Sequence, residues 1–323
     1  MAGMMPDSFS ARLPLSRSGV DRDYLARATP GLLDELRADA ATRALLLSRG
    51  QALLSSTDPV ALDLVPFADV PRAETAVYLG RIAEDALVDS GIVGSGVVAV
   101  VLSDEQADAI QADRGSWGDL RRIGAELSAL DAGLFTQALA ITNFHASHTF
   151  SPRTGEATVP AKGGWVRHPD GHDEESSGQH IFPRTDPAII VGVLDDQDRL
   201  LLGANALWGG DRYSLLAGFV EPGESLEAAV IREINEEAGI VVVDPVYLGS
   251  QPWPFPASIM IGFSARLAPG SPDAVPDGEE IIDLRWFTRH DLSDGVRTIG
   301  IPGRASIARA IIEQWFGGPL DAP

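Results

Sequence analysis

Residues 218–240 read GFVEPGESLEAAVIREINEEAGI, and this stretch decides the fold. Gly218 is followed after five residues by Glu224, and after seven more by Arg232-Glu233-Ile234-Asn235-Glu236-Glu237-Ala238-Gly239-Ile240. Glu221-Pro222-Gly223-Glu224 has the chemistry of a tight turn, because proline presets one φ and glycine tolerates the next. Ser225 is a natural helix cap. Leu226–Ala238 is rich in Ala, Leu, Ile and Glu and free of Gly and Pro, which predicts a helix stopped by Gly239. Leu226, Val230 and Ile234 recur at helical spacing and form the expected buried stripe. Glu233 and Glu237 stand four apart and share a face, with Glu236 beside them. Like charges so placed repel unless something lies between them. Three carboxylates together therefore point to a hard cation bound by oxygen, Mg²⁺ or Mn²⁺. Arg232, eight residues after Glu224, is placed to tie the turn to the helix as an ion pair. A merely solvated acidic face would not need Gly218, Glu224, Arg232 and Gly239 at these spacings.

Composition bounds the rest. A chain of 323 residues is long enough for two domains and a large core. Its net charge of −21 argues against a dedicated nucleic-acid binder, which shows a basic footprint, but leaves room for recognition of one end of an RNA. With no cysteine, a disulfide, a thiolate zinc site and a cysteine nucleophile are all excluded. The first twenty residues are polar with no apolar h-region, and no run approaches a membrane span. The expectation is a cytoplasmic protein with no membrane partner.

The pattern along the chain suggests an N-terminal arm over 1–24, loose in character, and a mixed domain over 25–145. A Gly-, Ser-, Pro- and His-rich linker follows over 146–184, then a β-rich domain over 185–318. In the mixed domain, helical patterns cover Pro30–Leu54 and Trp117–Ala140, and strands are expected at Ala76–Gly80 and Val97–Leu102. In the last domain, Ala188–Leu194 and Leu200–Leu202 flank Asp195-Asp196-Gln197-Asp198 as a hairpin. Further strands are expected at Tyr213–Ala217, Val242–Gly249, Ser258–Leu267 and Glu280–Phe287, with a closing helix over Arg304–Phe316. The fold class is an α/β/α sandwich on a mixed sheet. No repeat is visible at the level of residues.

A second motif, Ser250-Gln251-Pro252-Trp253-Pro254-Phe255-Pro256-Ala257-Ser258, begins about ten residues after the predicted helix. Three prolines alternating with two aromatics suggest a stiff, extended segment. Trp253 and Phe255 would offer faces to a flat ring, and Gln251 and Ser258 would hydrogen-bond to it. The bland reading is a proline-rich loop whose aromatics fill the core.

Together the two motifs carry a resemblance. Gly218 to Ile240 matches the Nudix signature at all nine fixed positions, and that family hydrolyses nucleoside diphosphates linked to another group. With the aromatic loop downstream, the chain resembles the NADH pyrophosphatase (NAD diphosphatase) subfamily. Leu127–Ala138 looks like the subfamily's helix before its linker, and Pro183–Val191 like its entry into the catalytic domain. The resemblance implies a degenerate Nudix-like domain over 25–145. One departure is plain: many relatives carry a four-cysteine zinc ribbon in the linker, and here Ser151 and Thr154 stand where the first pair would be. His145, His148, His168, His172 and His180 crowd the region at spacings that match no standard zinc pattern, so they are expected to be exposed loop residues and no zinc is expected.

The resemblance further implies hydrolysis of the pyrophosphate bridge of NADH or NAD, giving nicotinamide mononucleotide and AMP. It also implies removal of the NAD cap from the 5′ end of RNA, and a homodimer. Mg²⁺ or Mn²⁺ would neutralise the phosphates and lower the pKa of the attacking water. By residue-for-residue carry-over, Glu233 and Glu237 hold the ions with the carbonyl of Ala217, and Glu236 is a ligand or general base. Glu280, with Glu279 as its rival, completes the metal site. Phe219 stacks on nicotinamide, Phe182 reaches the substrate of a partner subunit, Ala308 lines the adenosine pocket, and Gln251 to Ser258 (Pro252, Trp253, Pro254, Phe255, Pro256 and Ala257 between them) form a substrate loop. The alternatives are a Nudix hydrolase of ADP-ribose or a similar diphosphate, and a catalytically silent NAD-binding sensor.

Overall fold

The computed structural model describes residues 9–84, 86, 92–114, 116–172, 179–208, 212–295 and 299–320; the first eight residues of the expected arm and 173–178 of the linker lie outside them. The chain forms two compact units. One comprises the segment up to Ser16 with Asp186–Pro252 and the chain from Ser258 onward; the other is Arg17–Thr185 together with Trp253–Ala257.

In the second of these units a mixed sheet runs in the order Val20–Asp21, Thr75–Ile82, Gly96–Val101, Arg43–Ser48, Gln51–Thr57, Val60–Leu62. Leu64–Pro66 pairs with Arg43–Ser48, and Ser116–Asp119 with Gln51–Thr57. The helical reading of Pro30–Leu54 is corrected here. Only Leu32–Ala38 is helical, and the Leu-rich remainder is a hairpin turning at Arg49-Gly50, both at positive φ. Leu45, Leu46, Leu47 and Leu53 are almost fully buried, so tertiary burial overrides their helix preference. The stretch Trp117–Ala140 likewise begins as a strand, and its main helix is Ala129–Ser147, capped by Ser128.

In the first unit, strands β1 (Asp186–Leu194), β2 (Leu200–Asn205), β3 (Leu216–Phe219), β4 (Val242–Trp253), β5 (Ser258–Leu267) and β6 (Ile281–Phe287) form a sheet in the order β4-β5-β1-β2-β6, with β3 paired to β1. Strands β1 and β5 run parallel from Asp186↔Ser258 to Leu194↔Arg266. Helix α1 (Leu226–Ala238) closes one apolar cluster, where Val230 and Ile234 meet Ile189, Val191 and Val193. Helix α3 (Ile307–Phe316), which follows a short α2 (Arg289–Gly295), closes another with Ile190, Leu200 and Leu202. Alternate β1 residues thus face different helices, as the two-residue period of a strand requires. Residues 9–16 are not loose: Leu13 and Leu15 are fully buried, and Leu13 joins the α3 cluster.

The two sheets repeat one connectivity. A first strand makes a hairpin with a second, pairs with a short third, and runs parallel to a fifth that neighbours the fourth, while the sixth pairs with the second. The N-terminal sheet adds the short strands Val20–Asp21 and Val60–Leu62, and a further difference lies between the third and fourth strands. In the unit that holds Asp186–Pro252 that gap holds α1; in the other it holds only the single 3₁₀ turn Phe67–Asp69.

Candidate active site

The signature folds as its chemistry dictates. The Ser225 hydroxyl accepts the Ala228 N–H at 3.2 Å, and Gly239 ends α1 at φ 67°. Arg232 is the hub. Its Nε and Nη2 each donate to the Glu224 carboxylate at 2.8 Å, and Nη2 also donates to the Phe219 carbonyl at 3.0 Å. The predicted tie between turn and helix is therefore a bidentate pair, the geometry for which a planar guanidinium is suited. That pairing holds the Glu224 carboxyl below the usual range. Nη1 reaches Glu233 and Glu236, each at 2.9 Å, and the three carboxylates together raise the Arg232 pKa.

Gly218 is needed for another reason. A Cβ at this position would overlap the Glu233 carboxylate, so the absence of a side chain lets that acid lie against β3. Glu237 is the most buried acid of the face, 5% exposed. Its Oε2 is buried with no hydrogen-bond partner, and the Ala217 backbone N–H donates to the carboxylate. Burial first, then the charges of Glu280, Glu233 and Asp277, push its pKa up to about 8. Burial also raises Glu233, against the opposing pull of Arg232. Glu236 is more than half exposed and held by Arg232.

Glu280 sits one residue before β6, not within it, in a bend where Asp277 accepts the backbone N–H groups of Glu279, Glu280 and Ile281 at 2.8–3.2 Å. Burial opposes it, but these bonds hold the Asp277 carboxyl below its usual range. Of the charges acting on Glu237, that of Glu280 is the strongest. Asp277 was missed in the sequence, although Asp-Gly ahead of a strand is a turn signal.

Among the described residues no three His, Asp or Glu side chains are drawn into a ready ligand group. The residues nevertheless fit a hard divalent cation. The side chains gathered there are carboxylates, an acid oxygen of Glu237 is buried without a partner, and the charges of Glu280 and Glu233 act on Glu237 as like charges.

The aromatic loop is a tight turn between β4 and β5, with Phe255 N–H donating to the Trp253 carbonyl at 2.7 Å, and not the extended rod expected. Trp253 and Phe255 pack edge to face at 4.9 Å, Arg121 lies 4.2 Å over the Phe255 ring, and Asn143 donates to the carbonyls of Pro254 and Pro256. Gln251 is fully buried and spent internally: its amide donates to the Ala305 carbonyl at 2.9 Å and accepts the Leu15 N–H. Its side-chain amide is thus bonded inside the protein at both its nitrogen and its oxygen, and is closed to solvent. Ser258 is buried at the start of β5, opposite Asp186, and Pro252 and Ala257 are half-buried. Phe219 is 59% exposed and Phe182 65%, the latter edge-on to His180; Ala308 is buried in the α3 cluster.

Two of the five linker histidines are not exposed loop residues: His145 and His168 are buried. The neutral His145 ring is fully used, with Nε2 2.7 Å from the Gly164 carbonyl and Nδ1 2.9 Å from Arg167 Nη1. Burial lowers its pKa to about 4. Arg167 also donates to the Thr158 hydroxyl and carbonyl at 2.7 and 2.6 Å, bracing the hairpin Thr158–Ala161/Val166–Pro169.

The chain belongs to the Nudix hydrolase family: the NUDIX domain model matches residues 183–310, and a model described as an NADH pyrophosphatase-like rudimentary NUDIX domain matches residues 41–143. Among similar proteins is the NAD-capped RNA hydrolase NudC of Mycobacterium bovis (strain BCG / Pasteur 1173P2), 38% identical over 93% of this chain and 94% of its own length. The protein of that name from Mycobacterium tuberculosis (strain ATCC 25618 / H37Rv) matches with the same identity and coverage. The NAD-capped RNA hydrolase NUDT12 of Homo sapiens is 38% identical over 59% of this chain and 43% of its own length.

Proposed function

We propose that this protein hydrolyses the pyrophosphate bond of NAD(H), releasing AMP and nicotinamide mononucleotide, and removes the NAD cap from RNA by the same cleavage. The observation that carries the reading is the acidic face built by Gly218, Glu233, Glu237 and Glu280 around the unpartnered Glu237 oxygen. The near full-length likeness to NAD-capped RNA hydrolases supports the substrate. Glu233, Glu237 and Glu280, with the Ala217 backbone, would hold Mg²⁺ or Mn²⁺. When bound, such an ion neutralises phosphate charge and makes water a competent nucleophile at neutral pH.

The chain's own residues do the rest. Arg232 fixes Glu233 and Glu236 and, through Glu224, the turn ahead of the helix. Glu236, more than half exposed and paired with Arg232, is the candidate general base or further ligand. Phe219, whose exposed ring lies one residue beyond Gly218, would be the stacking partner of nicotinamide. The net charge of −21 disfavours contact with a long RNA body, so recognition centres on the cap. A homodimer, with Phe182 facing a partner's substrate, and a cytoplasmic site of action complete the reading; no described helix is long and apolar enough to cross a membrane.

The test is AMP release with Mn²⁺ from NADH, NAD, ADP-ribose and NAD-capped RNA, compared by kcat/KM. The dinucleotide or capped RNA should lead. A preference for ADP-ribose would move the protein to another Nudix specificity, and no release from any of them would make it a silent sensor.

A further inference from the structure

Strand β2 ends irregularly. Its register with β6 slips between Ala204 and Asn205, and the chain turns at once. The Asn205 backbone carbonyl accepts the Trp208 N–H at 3.0 Å, and its side-chain Oδ1 accepts the Leu207 N–H at 2.9 Å. This is the local anchoring that asparagine provides in turns. It also decides which way the amide faces, because only the carbonyl end can accept from an N–H. The nitrogen is therefore left pointing away from the turn, and Nδ2 donates to Glu280 Oε1 at 3.2 Å.

Glu280 is held at its backbone N–H, its backbone carbonyl and one carboxylate oxygen. Asp277 accepts its N–H at 3.2 Å, the Ala206 N–H donates to its carbonyl at 2.9 Å, and the Asn205 amide takes its carboxylate. An acid in this place needs holding. Its neighbours Glu237 and Glu233 are also acids, and a free glutamate side chain would gain both rotamer entropy and relief of repulsion by swinging into water. A neutral amide is well suited to the task. A lysine or arginine would hold Glu280 more strongly but would cancel the charge that attracts a divalent cation.

We infer that Asn205 is a positioning residue, which keeps the Glu280 carboxylate turned toward the Glu233–Glu237 face and ready for the cation; this rests on reading that face as the metal site. Partners of this kind orient the ligands that touch the ion and are part of its affinity.

The experiment measures Mn²⁺ binding by the full chain without substrate, from the electron paramagnetic resonance signal of the free ion. Asn205→Ser is the informative variant. Its hydroxyl can still accept the Leu207 N–H but is too short to reach Glu280. Binding should weaken about tenfold, the low end of the 10–100-fold range for such partners because the bond is open to solvent. The melting midpoint in chelator should stay that of the parent. In a Glu280→Ala background the same change should have no further effect, since Asn205 acts through Glu280. Excess Mn²⁺ should restore kcat to Asn205→Ser but not to Glu237→Gln. Unchanged Mn²⁺ affinity in Asn205→Ser, or an equal loss in both backgrounds, would overturn the inference while the metal face stands. Parent protein whose Mn²⁺ binding is indifferent to Glu237→Gln would sink the metal face and this inference with it.

Discussion

Replacing Glu237 with glutamine separates burial from metal chemistry in one variant. In the metal-free protein the Glu237 carboxyl titrates at about 8, against an ordinary value of 4.5. The folded-state value lies above the unfolded one. The stability this group contributes is therefore fully present below about pH 4.5 and is lost as the pH rises through about 8. At about 1.4 kcal/mol for each pH unit, the loss at pH 7 is about 3 kcal/mol and its ceiling above pH 8 is about 5 kcal/mol. Glutamine is nearly the shape of the neutral acid and does not titrate. It leaves a buried amide short of partners at a cost of about 1–3 kcal/mol, but that cost is independent of pH. The diagnostic is therefore the pH dependence of the difference between the two proteins. Calorimetry in chelator from pH 4.5 to 9 should show the variant gaining on the parent up to pH 8 and then holding level. At about 2–4 °C per kcal/mol, the relative gain by pH 7 is about 6–12 °C in the transition of the unit that carries the site. With Mn²⁺ and NADH the same variant should lose activity by orders of magnitude. A difference that stays flat with pH would refute the buried, self-repelling face, and near-normal turnover would refute the ligand role.

Two further outcomes follow from the same geometry. Glu280→Ala should raise the Mn²⁺ requirement and cut kcat while Glu279→Ala is mild, because the charge of Glu280 acts most strongly on Glu237; the reverse pattern in metal-activation curves would hand the role to Glu279. Phe219→Ala should lower kcat/KM for NADH more than for ADP-ribose, by about tenfold to a hundredfold if one ring of stacking is lost. An equal loss for both substrates would assign Phe219 to support of β3 and Arg232 rather than to nicotinamide.

How far the site could be read from sequence follows from how local its parts are. Helix α1 was legible because its cap, stripe, stop and acids all lie within one continuous segment whose spacing is the geometry. Asn205 was not, because its role arises only when β6 is laid beside β2, which brings residues 75 apart into contact; Asp277 acts within its own bend, on the N–H groups of Glu279, Glu280 and Ile281, and only its Asp-Gly pair signalled it. Gln251 misled for a related reason: a polar residue in an aromatic loop reads as a ligand contact until Leu15 and Ala305 are found consuming it. In the N-terminal unit, Leu-rich strands carry a helical propensity, and the Arg49-Gly50 turn between them is the one local cue to a hairpin.

That unit also shows why a repeat can be real and yet invisible in the residues. Backbone connectivity depends on which strands pair, and buried strands accept many apolar sequences, so the two sheets share an order without sharing side chains. Chemistry has no such tolerance. Between Pro66 and Thr75 there are eight residues, enough for the Phe67–Asp69 turn. They are too few for a capped helix of thirteen, the length of α1, on which Arg232, Glu233 and Glu237 recur in register. Without that helix the glycine opposite it has no carboxylate to admit, and the distal acid has no face to complete. The catalytic capacity of the chain is therefore confined to one of two similar sheets by the length of a single connection.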